Sequence, residues 1–332
     1  RVVVVWAASL LAGLAAAATP AETTLANGLR VIVHEDHRAP TVVAMVWYRA
    51  GSIDEFNGTT GVAHVLEHMM FKGTQTVPPG EYSRIIAAAG GRDNAMTSRD
   101  YTAYHAQLHK SQLELALRLE ADRMANLQLT DEEFAKEIKV VMEERRLRTD
   151  DQPRSLLMEA LNATAFKAHP YRTPVVGWMR DLETMTAADA RAWYRAWYAP
   201  NNAVLTIAGD VEEEAAFAAA ERWFGPIPGN ASLGRSWPDA IPPIIGREVR
   251  EVVPDAVPLV RVHFGYRIPS FGSDEFDALE VGTQILAGGR GSRLYQRLVR
   301  TERVAQDVAA FTLPVIGGSA VLAGWVTARP ES

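Results

Sequence analysis

Residues 64–68 read His-Val-Leu-Glu-His. Side chains three and four positions apart on an α-helix share a face, so a helix here points His64, Glu67 and His68 the same way. Two imidazoles one turn apart can chelate one metal ion, and the carboxylate beside them can reach a water bound to it. H-x-x-E-H inverts the H-E-x-x-H arrangement, in which the same residue types serve zinc-dependent hydrolysis. Taken by itself the pentad also fits a surface helix with two exposed histidines and one glutamate. There is no cysteine among the 332 residues, which excludes thiol catalysis, disulfides and Cys-ligated metal.

The elements that must position these groups are legible as patterns. Thr23–Leu25 and Leu29–His34 flank Asn27-Gly28, a hairpin turn signal. Val42–Ala50 is a β-prone run set off by Pro40. Helical character is expected over Thr59–Phe71 and Gly80–Ala89, and short strands over Ala95–Ser98 and Tyr101–Leu108. Ser111-x-x-Glu114 and Thr130-x-x-Glu133 read as capping boxes of two long helices. Further helices are expected near Ser155–Phe166, Thr186–Trp197 and Glu212–Phe224, with a strand at Ala203–Ala208. Pro226, Pro228, Pro238, Pro242 and Pro243 mark a linker. Beyond it, Arg247–Val253 and Leu259–Tyr266 read as strands, Asp274–Leu286 and Ser292–Thr301 as helices, and Ser319–Thr327 as a strand. This order partly repeats the first unit and suggests a duplicated α+β fold.

Hydrophobic residues make up 48% and charged residues 22%, which is globular composition. A net charge of −6 gives no electrostatic reason to expect nucleic acid. Residues 2–21 carry no charge, follow Arg1 and end in small residues, as an export signal does. The competing reading is an N-terminal membrane anchor. The chain opens on Arg rather than Met, which points to missing upstream residues. Export implies a periplasmic or secreted protein, and the anchor reading a membrane-tethered one.

The stretch Gly61–Thr74 closely resembles the active-site helix of the insulinase/pitrilysin zinc metallopeptidase family (inverzincins), in its bacterial and mitochondrial processing-peptidase branch. Asp93–Ser98, Thr102–Tyr104, Val176–Trp178, Tyr198–Asn202, Gly209-Asp210 and Gly288–Gln296 resemble later blocks of that family, so the likeness covers about residues 22–330. It implies a third zinc ligand 76 residues beyond the second histidine, which is Glu144. It also implies a glutamate seven residues earlier on the same helix face, Glu137, orienting His64 or His68. Glu143 is rotated by roughly 100° and should face elsewhere. By the resemblance, Zn²⁺ is held by His64, His68 and Glu144, Glu67 is the catalytic base, and Asn94 and Ala95 pair with a substrate strand.

The resemblance further implies two homologous α/β-roll domains, each a mixed or antiparallel sheet packed with helices. The expected division is a signal at 1–21, the zinc-binding peptidase domain at 22–228, a linker at 229–246 and the start of a second, inactive domain at 247–332, incomplete in this chain. Relatives complete the site with groups from the rest of that second domain. The chain is therefore a fragment, or it works as a homo- or heterodimer with a second family subunit. The implied activity is endopeptidase cleavage of peptides or unfolded segments. A non-catalytic assembly subunit and a zinc-binding module without turnover are the alternatives. His34, His37, His105, His109, His169 and His263 lack partner spacing and read as structural or surface residues, Gly288–Arg293 lacks the pattern of a phosphate loop, and Trp193, Tyr194, Trp197 and Tyr198 read as core.

Overall fold

A computed structural model describes residues 19–233 and 259–329. In chain order the first unit comprises β1 (Ala21–Thr24), β2 (Arg30–Glu35), β3 (Thr41–Tyr48), α1 (Val62–Met69), α2 (Glu81–Ala88), β4 (Arg92–Thr97), β5 (Thr102–His109), α3 (Leu113–Asn126), α4 (Asp131–Arg145), α5 (Pro153–Ala165), α6 (Met179–Thr184), α7 (Ala187–Trp197), β6 (Ala203–Gly209) and α8 (Glu213–Phe224). A π-helical turn, Arg146–Asp150, extends α4. The second unit comprises β7 (Arg261–Ile268), α9 (Asp274–Ala287), β8 (Ala305–Leu313) and β9 (Ala320–Ala328), with a π-helical segment at Tyr295–Thr301. The expected strand at Arg247–Val253, most of the linker and residues 1–18 of the expected export signal lie outside the described residues. Ala21, the last residue of that expected signal, already opens β1.

The fold is α+β. The first sheet has the order β1-β2-β6-β3-β5-β4, and the second β7-β9-β8. Among the described strands, only β2 and β6 run parallel; the other pairs are antiparallel. Along β3, Val42, Ala44, Val46 and Tyr48 are buried while the alternate residues are half-exposed, as period-two alternation requires. The buried set joins α1, α3, α7 and α8 in the main core.

One capping expectation is corrected and the other holds. Ser111 does not cap α3: its backbone N–H donates to His109 Nδ1 at 3.3 Å within a 3₁₀ turn, and the helix begins two residues later without a side-chain cap. Thr130 does cap α4, accepting from the Glu133 N–H at 3.2 Å. The strand β8 and the helix α6 were not expected from pattern. Trp193 and Tyr198 are buried, as expected, and Tyr194 and Trp197 pack against the same core.

The two units share a second core, in which Ile53, Phe166 and Tyr171 meet Ile268, Phe276, Val315 and Val321. A polar link reinforces it. The Tyr171 hydroxyl donates to Asp100 Oδ1 (2.5 Å) and accepts from Gly317 N (2.6 Å), while Ile316 N donates to Asp100 Oδ2 (3.0 Å). Asp100 lies in the β4–β5 turn, so the loop between β8 and β9 grips the turn that follows β4. His169, as expected, is structural: buried, with Nε2 3.2 Å from the Gly317 carbonyl.

One buried cation anchors the end of α1. Arg123 on α3 donates to both oxygens of Glu120 (2.9 and 2.6 Å), and Tyr82 on α2 donates to the same carboxylate at 2.6 Å. The guanidinium sits over the rings of Tyr82, Tyr104 and Phe71 at 4.2, 4.5 and 5.1 Å from their centroids. Phe71 lies just beyond α1, so this cluster ties that helix end to α2, α3 and β5. Removing one member of a buried charge pair leaves the other uncompensated. Arg123→Met should therefore lower unfolding stability by about 3–5 kcal/mol, with most of the loss recovered in Glu120→Gln/Arg123→Met. Urea denaturation followed by tryptophan fluorescence measures both.

Candidate metal centre

α1 starts at Gly61, whose φ of +88° no side-chain-bearing residue adopts comfortably. A Cβ there would lie 2.5 Å from the Val176 carbonyl oxygen, and one on Gly177 (φ +85°) 2.3 Å from that of Thr60. The two glycines let the loop before α1 and the loop before α6 cross in backbone contact. Carboxylates then secure the free N–H groups. Glu55 accepts from Gly61 N (2.8 Å) and Ala63 N (3.0 Å). Asp181 on α6 accepts from Gly58 N (3.0 Å), Thr60 N (3.2 Å) and Thr60 Oγ1 (2.6 Å). Burial pushes the Glu55 carboxyl up to about 8, against the pull of its two backbone donors.

So fixed, α1 buries Val62, Val65, Leu66 and Met69 and turns His64, Glu67 and His68 the other way, toward α4 and β4. α4 brings Glu137 and Glu144, two turns apart, to the same place. Nε2 of His68 lies 3.3 Å from Glu144 Oε2, and Nε2 of His64 lies 3.8 Å from Glu144 Oε1. One donor atom from each of His64, His68 and Glu144 falls within 4.8 Å of the others. His68 Nδ1 meets Glu137 Oε1 at 2.8 Å, and Lys72 Nζ holds Glu137 Oε2 at 2.6 Å. Arg148, one turn on in the π-helical segment, pairs with Glu144. Glu143 points away and pairs with Arg146, as its rotation requires.

The electrostatics separate the two imidazoles. Burial, then the neighbouring His68 and Arg148, lowers His64 to about 3, so its ring is neutral and keeps a lone pair. Its Nδ1 is buried without a hydrogen-bond partner among the described residues. Burial also works to lower His68, but the bond to Glu137 and the charges of Glu137, Glu144 and Glu67 outweigh it and raise it. Burial raises Glu67 too, against the hydrogen bond it accepts from Thr97 of β4.

These residues fit a zinc ion. Zn–N and Zn–O bonds of about 2.0–2.2 Å place the ligand atoms of a tetrahedral site roughly 3.4 Å apart. His68 Nε2 and His64 Nε2 lie 3.3 and 3.8 Å from different oxygens of Glu144, and a set of one atom from each residue falls within 4.8 Å, so small side-chain rotations bring the three to that spacing. The donor set is two imidazoles and a carboxylate, and the second nitrogen of one imidazole is already held by a carboxylate.

β4 is one of the two edge strands of the first sheet among the described residues. Asn94 and Ala95 pair with His105 and Tyr104 of β5. Ala95 N–H donates to the Asn94 side chain at 2.9 Å. Three groups escaped sequence reasoning. Thr97 could have been found from alternation along β4, since it shares a face with Ala95. Lys72 stands in the Gly61–Thr74 stretch, but its partner comes from another helix. Glu55 carries no local signal at all.

Residues 30–177 match the family described as Insulinase (Peptidase family M16), and residues 184–323 match the Peptidase M16 inactive domain. The zinc protease PqqE of Helicobacter pylori is 34% identical over 292 residues, 86% of this chain and 64% of that protein. The chain thus spans slightly less than two thirds of that relative. An uncharacterized zinc protease of Mycobacterium bovis is 31% identical over 325 residues, 96% of this chain and 72% of its own length. Among solved structures, a protease from Helicobacter pylori superposes with a TM-score of 0.84 at 31% identity, covering 94% of this chain and 76% of that one. The first half of the periplasmic protease PqqL from Escherichia coli shares the fold, with a TM-score of 0.74 at 23% identity over 93% of this chain and 68% of that one. On its sequence, its fold and the two successive family matches, the chain belongs to the insulinase (M16) family of peptidases.

Proposed function

We propose that this chain is a zinc-dependent endopeptidase acting on peptides or unfolded polypeptide segments, with His64, His68 and Glu144 as the metal ligands. The observation that carries the reading is the convergence of those three donors, within 4.8 Å of one another, beside a half-buried carboxylate on the same helix face. A zinc ion bound there supplies Lewis acidity and lowers the pKa of water toward about 7. Glu67 accepts the proton of the attacking water and passes it to the leaving amine; a carboxyl raised by burial suits that exchange. Thr97 holds Glu67 against β4. Glu137 accepts from His68 Nδ1–H, which leaves Nε2 as the ligand atom, and Lys72 holds Glu137 in that pose. An extended substrate adds to the edge of β4, displacing the Asn94 side chain from Ala95 N–H.

The same reading assigns 22–228 to the peptidase domain, 247–332 to an inactive second domain, and 1–21 to export toward the periplasm or outside. No helix among the described residues is long and apolar enough to cross a membrane. Pairing with a second family subunit would enclose the site.

Glu67→Gln should retain zinc, measured by metal analysis, and lose peptide cleavage by a factor of at least about 10². Cleavage by that variant at the wild-type rate would refute the base assignment, and zinc-loaded wild type inert toward every peptide would favour the assembly-subunit reading. Glu137→Ala should weaken zinc about 10–100-fold in chelator competition. In chelated protein, imidazole NMR should show His64 still neutral well below its ordinary 6.5 and His68 protonating above it. A histidine depressed in the folded state stabilises fully above 6.5, and that contribution is lost as pH falls from 6.5 toward 3. His64→Gln should flatten this part of the acid-unfolding curve.

A further inference from the structure

A run of contacts leads from the second unit to the carboxylate proposed as the base. It starts in the loop between β8 and β9. Gly317 N donates to the Tyr171 hydroxyl at 2.6 Å, and the Gly317 carbonyl meets His169 Nε2 at 3.2 Å. Tyr171 N donates to His169 Nδ1 at 3.3 Å, so a neutral ring accepts on that side and donates from Nε2. Tyr171 is fully buried, and its hydroxyl donates to Asp100 Oδ1 at 2.5 Å. Ile316 N donates to the other oxygen of that carboxylate at 3.0 Å. Asp100 thus takes one donor from each unit, in a buried place where hydrogen bonds to a charged group are strong. The β4–β5 turn around it is tight, with Ser98 N donating to the Tyr101 carbonyl at 2.8 Å. Asp100 is the buried residue of that turn; Ser98, Arg99 and Tyr101 are half-exposed. Three residues before Asp100, Thr97 closes β4 and gives its hydroxyl to Glu67.

The same turn reaches α1 by a second route. The Arg99 carbonyl accepts from Ile53 N at 2.9 Å, and the Ser98 carbonyl from Ser52 N at 3.3 Å. A Cβ on Gly51 would lie 2.4 Å from the Arg99 carbonyl oxygen, so the two backbones touch. Two residues after Ile53, Glu55 holds the N–H groups of Gly61 and Ala63 at the start of α1. The turn therefore bears on the helix of His64, Glu67 and His68 through Thr97 and through Glu55, while its own place is set by Asp100. We propose that Tyr171 and Asp100 are positioning residues of the active site, through which the second unit fixes Thr97 and with it the orientation of Glu67. The catalytic consequence rests on the peptidase reading, and the test below separates the two. A reacting group displaced by about 1 Å can cost on the order of 10² in rate.

Turnover is measured on the zinc-loaded full chain with quenched fluorescent casein and with a mixed-sequence peptide library, and scaled to bound zinc. Tyr171→Phe keeps the ring in its core and removes only the hydroxyl. It should lower kcat by about tenfold or more, with zinc content and far-UV circular dichroism unchanged, and Asp100→Asn should do the same. Thr97→Val should lower kcat as well, and Tyr171→Phe added to it should cost little more, because both act through one contact. Phe276→Leu, in the core shared by the units but off this path, should weaken the fold and leave kcat per bound zinc unchanged. Amide hydrogen exchange gives a readout that needs no turnover: Tyr171→Phe should speed exchange across residues 95–103 while α3 keeps its protection. Full kcat in Tyr171→Phe, or losses that simply multiply in the double variant, overturns the positioning role. A wild type that cleaves neither probe sinks the peptidase reading instead; the exchange data then decide the coupling, and unchanged exchange over 95–103 overturns it.

Discussion

Two imidazoles and two carboxylates must be carried into a half-buried place and held there within a few ångströms by separate helices. Groups of this kind resist removal from water unless each finds a partner. The contact of α1 with α4 is where that demand is met, and much of the surrounding structure bears on it. At one end of α1 the Gly61–Gly177 crossing allows backbones to touch, with Glu55 and Asp181 taking the N–H groups that a helix start leaves open. At the other end Arg123 gathers three aromatic rings and Glu120 around the residue that follows the helix. The helix is thus pinned at both ends, and the middle is free to present its polar face.

Membership of the M16 family accords with this arrangement, since relatives at 31–34% identity are described as zinc proteases. The charges on α4 are not a solvated stripe of equivalent residues. Glu143 reaches outward to Arg146, while Glu137 and Glu144 turn inward, one to His68 and Lys72 and the other to both imidazoles. The same helix ends at Arg145, which reaches Glu159 on α5 and the Gly177 carbonyl, so the ligand-bearing helix is tied to the glycine crossing that starts α1.

What could be read in advance follows the range of the interaction. The face shared by His64, Glu67 and His68 is a property of five consecutive residues, and Thr130 caps its helix through a contact three residues away. Most strands and helices of the first unit were legible for the same reason. Ser111 misled because His109, two residues earlier, claims its N–H. Strand β8 is rich in alanine and takes its conformation from pairing with β9, which no local pattern announces. The pairing of Glu137 with His68 rather than His64, and the Lys72 contact, depend on how two helices cross. Asp100, Tyr171 and Gly317 meet from three distant parts of the chain.

The hydrogen bond from Thr97 to Glu67 has a mechanical corollary for any polypeptide laid along β4. Successive residues of a strand face opposite sides, so only alternate ones look toward α1. A guest chain that slides by a single residue exchanges its outward and inward sets and loses the hydrogen-bond pattern of the edge. Displacement by two restores both. Such a surface would sample its guest in dipeptide strides, giving the bound polymer a phase as well as a direction.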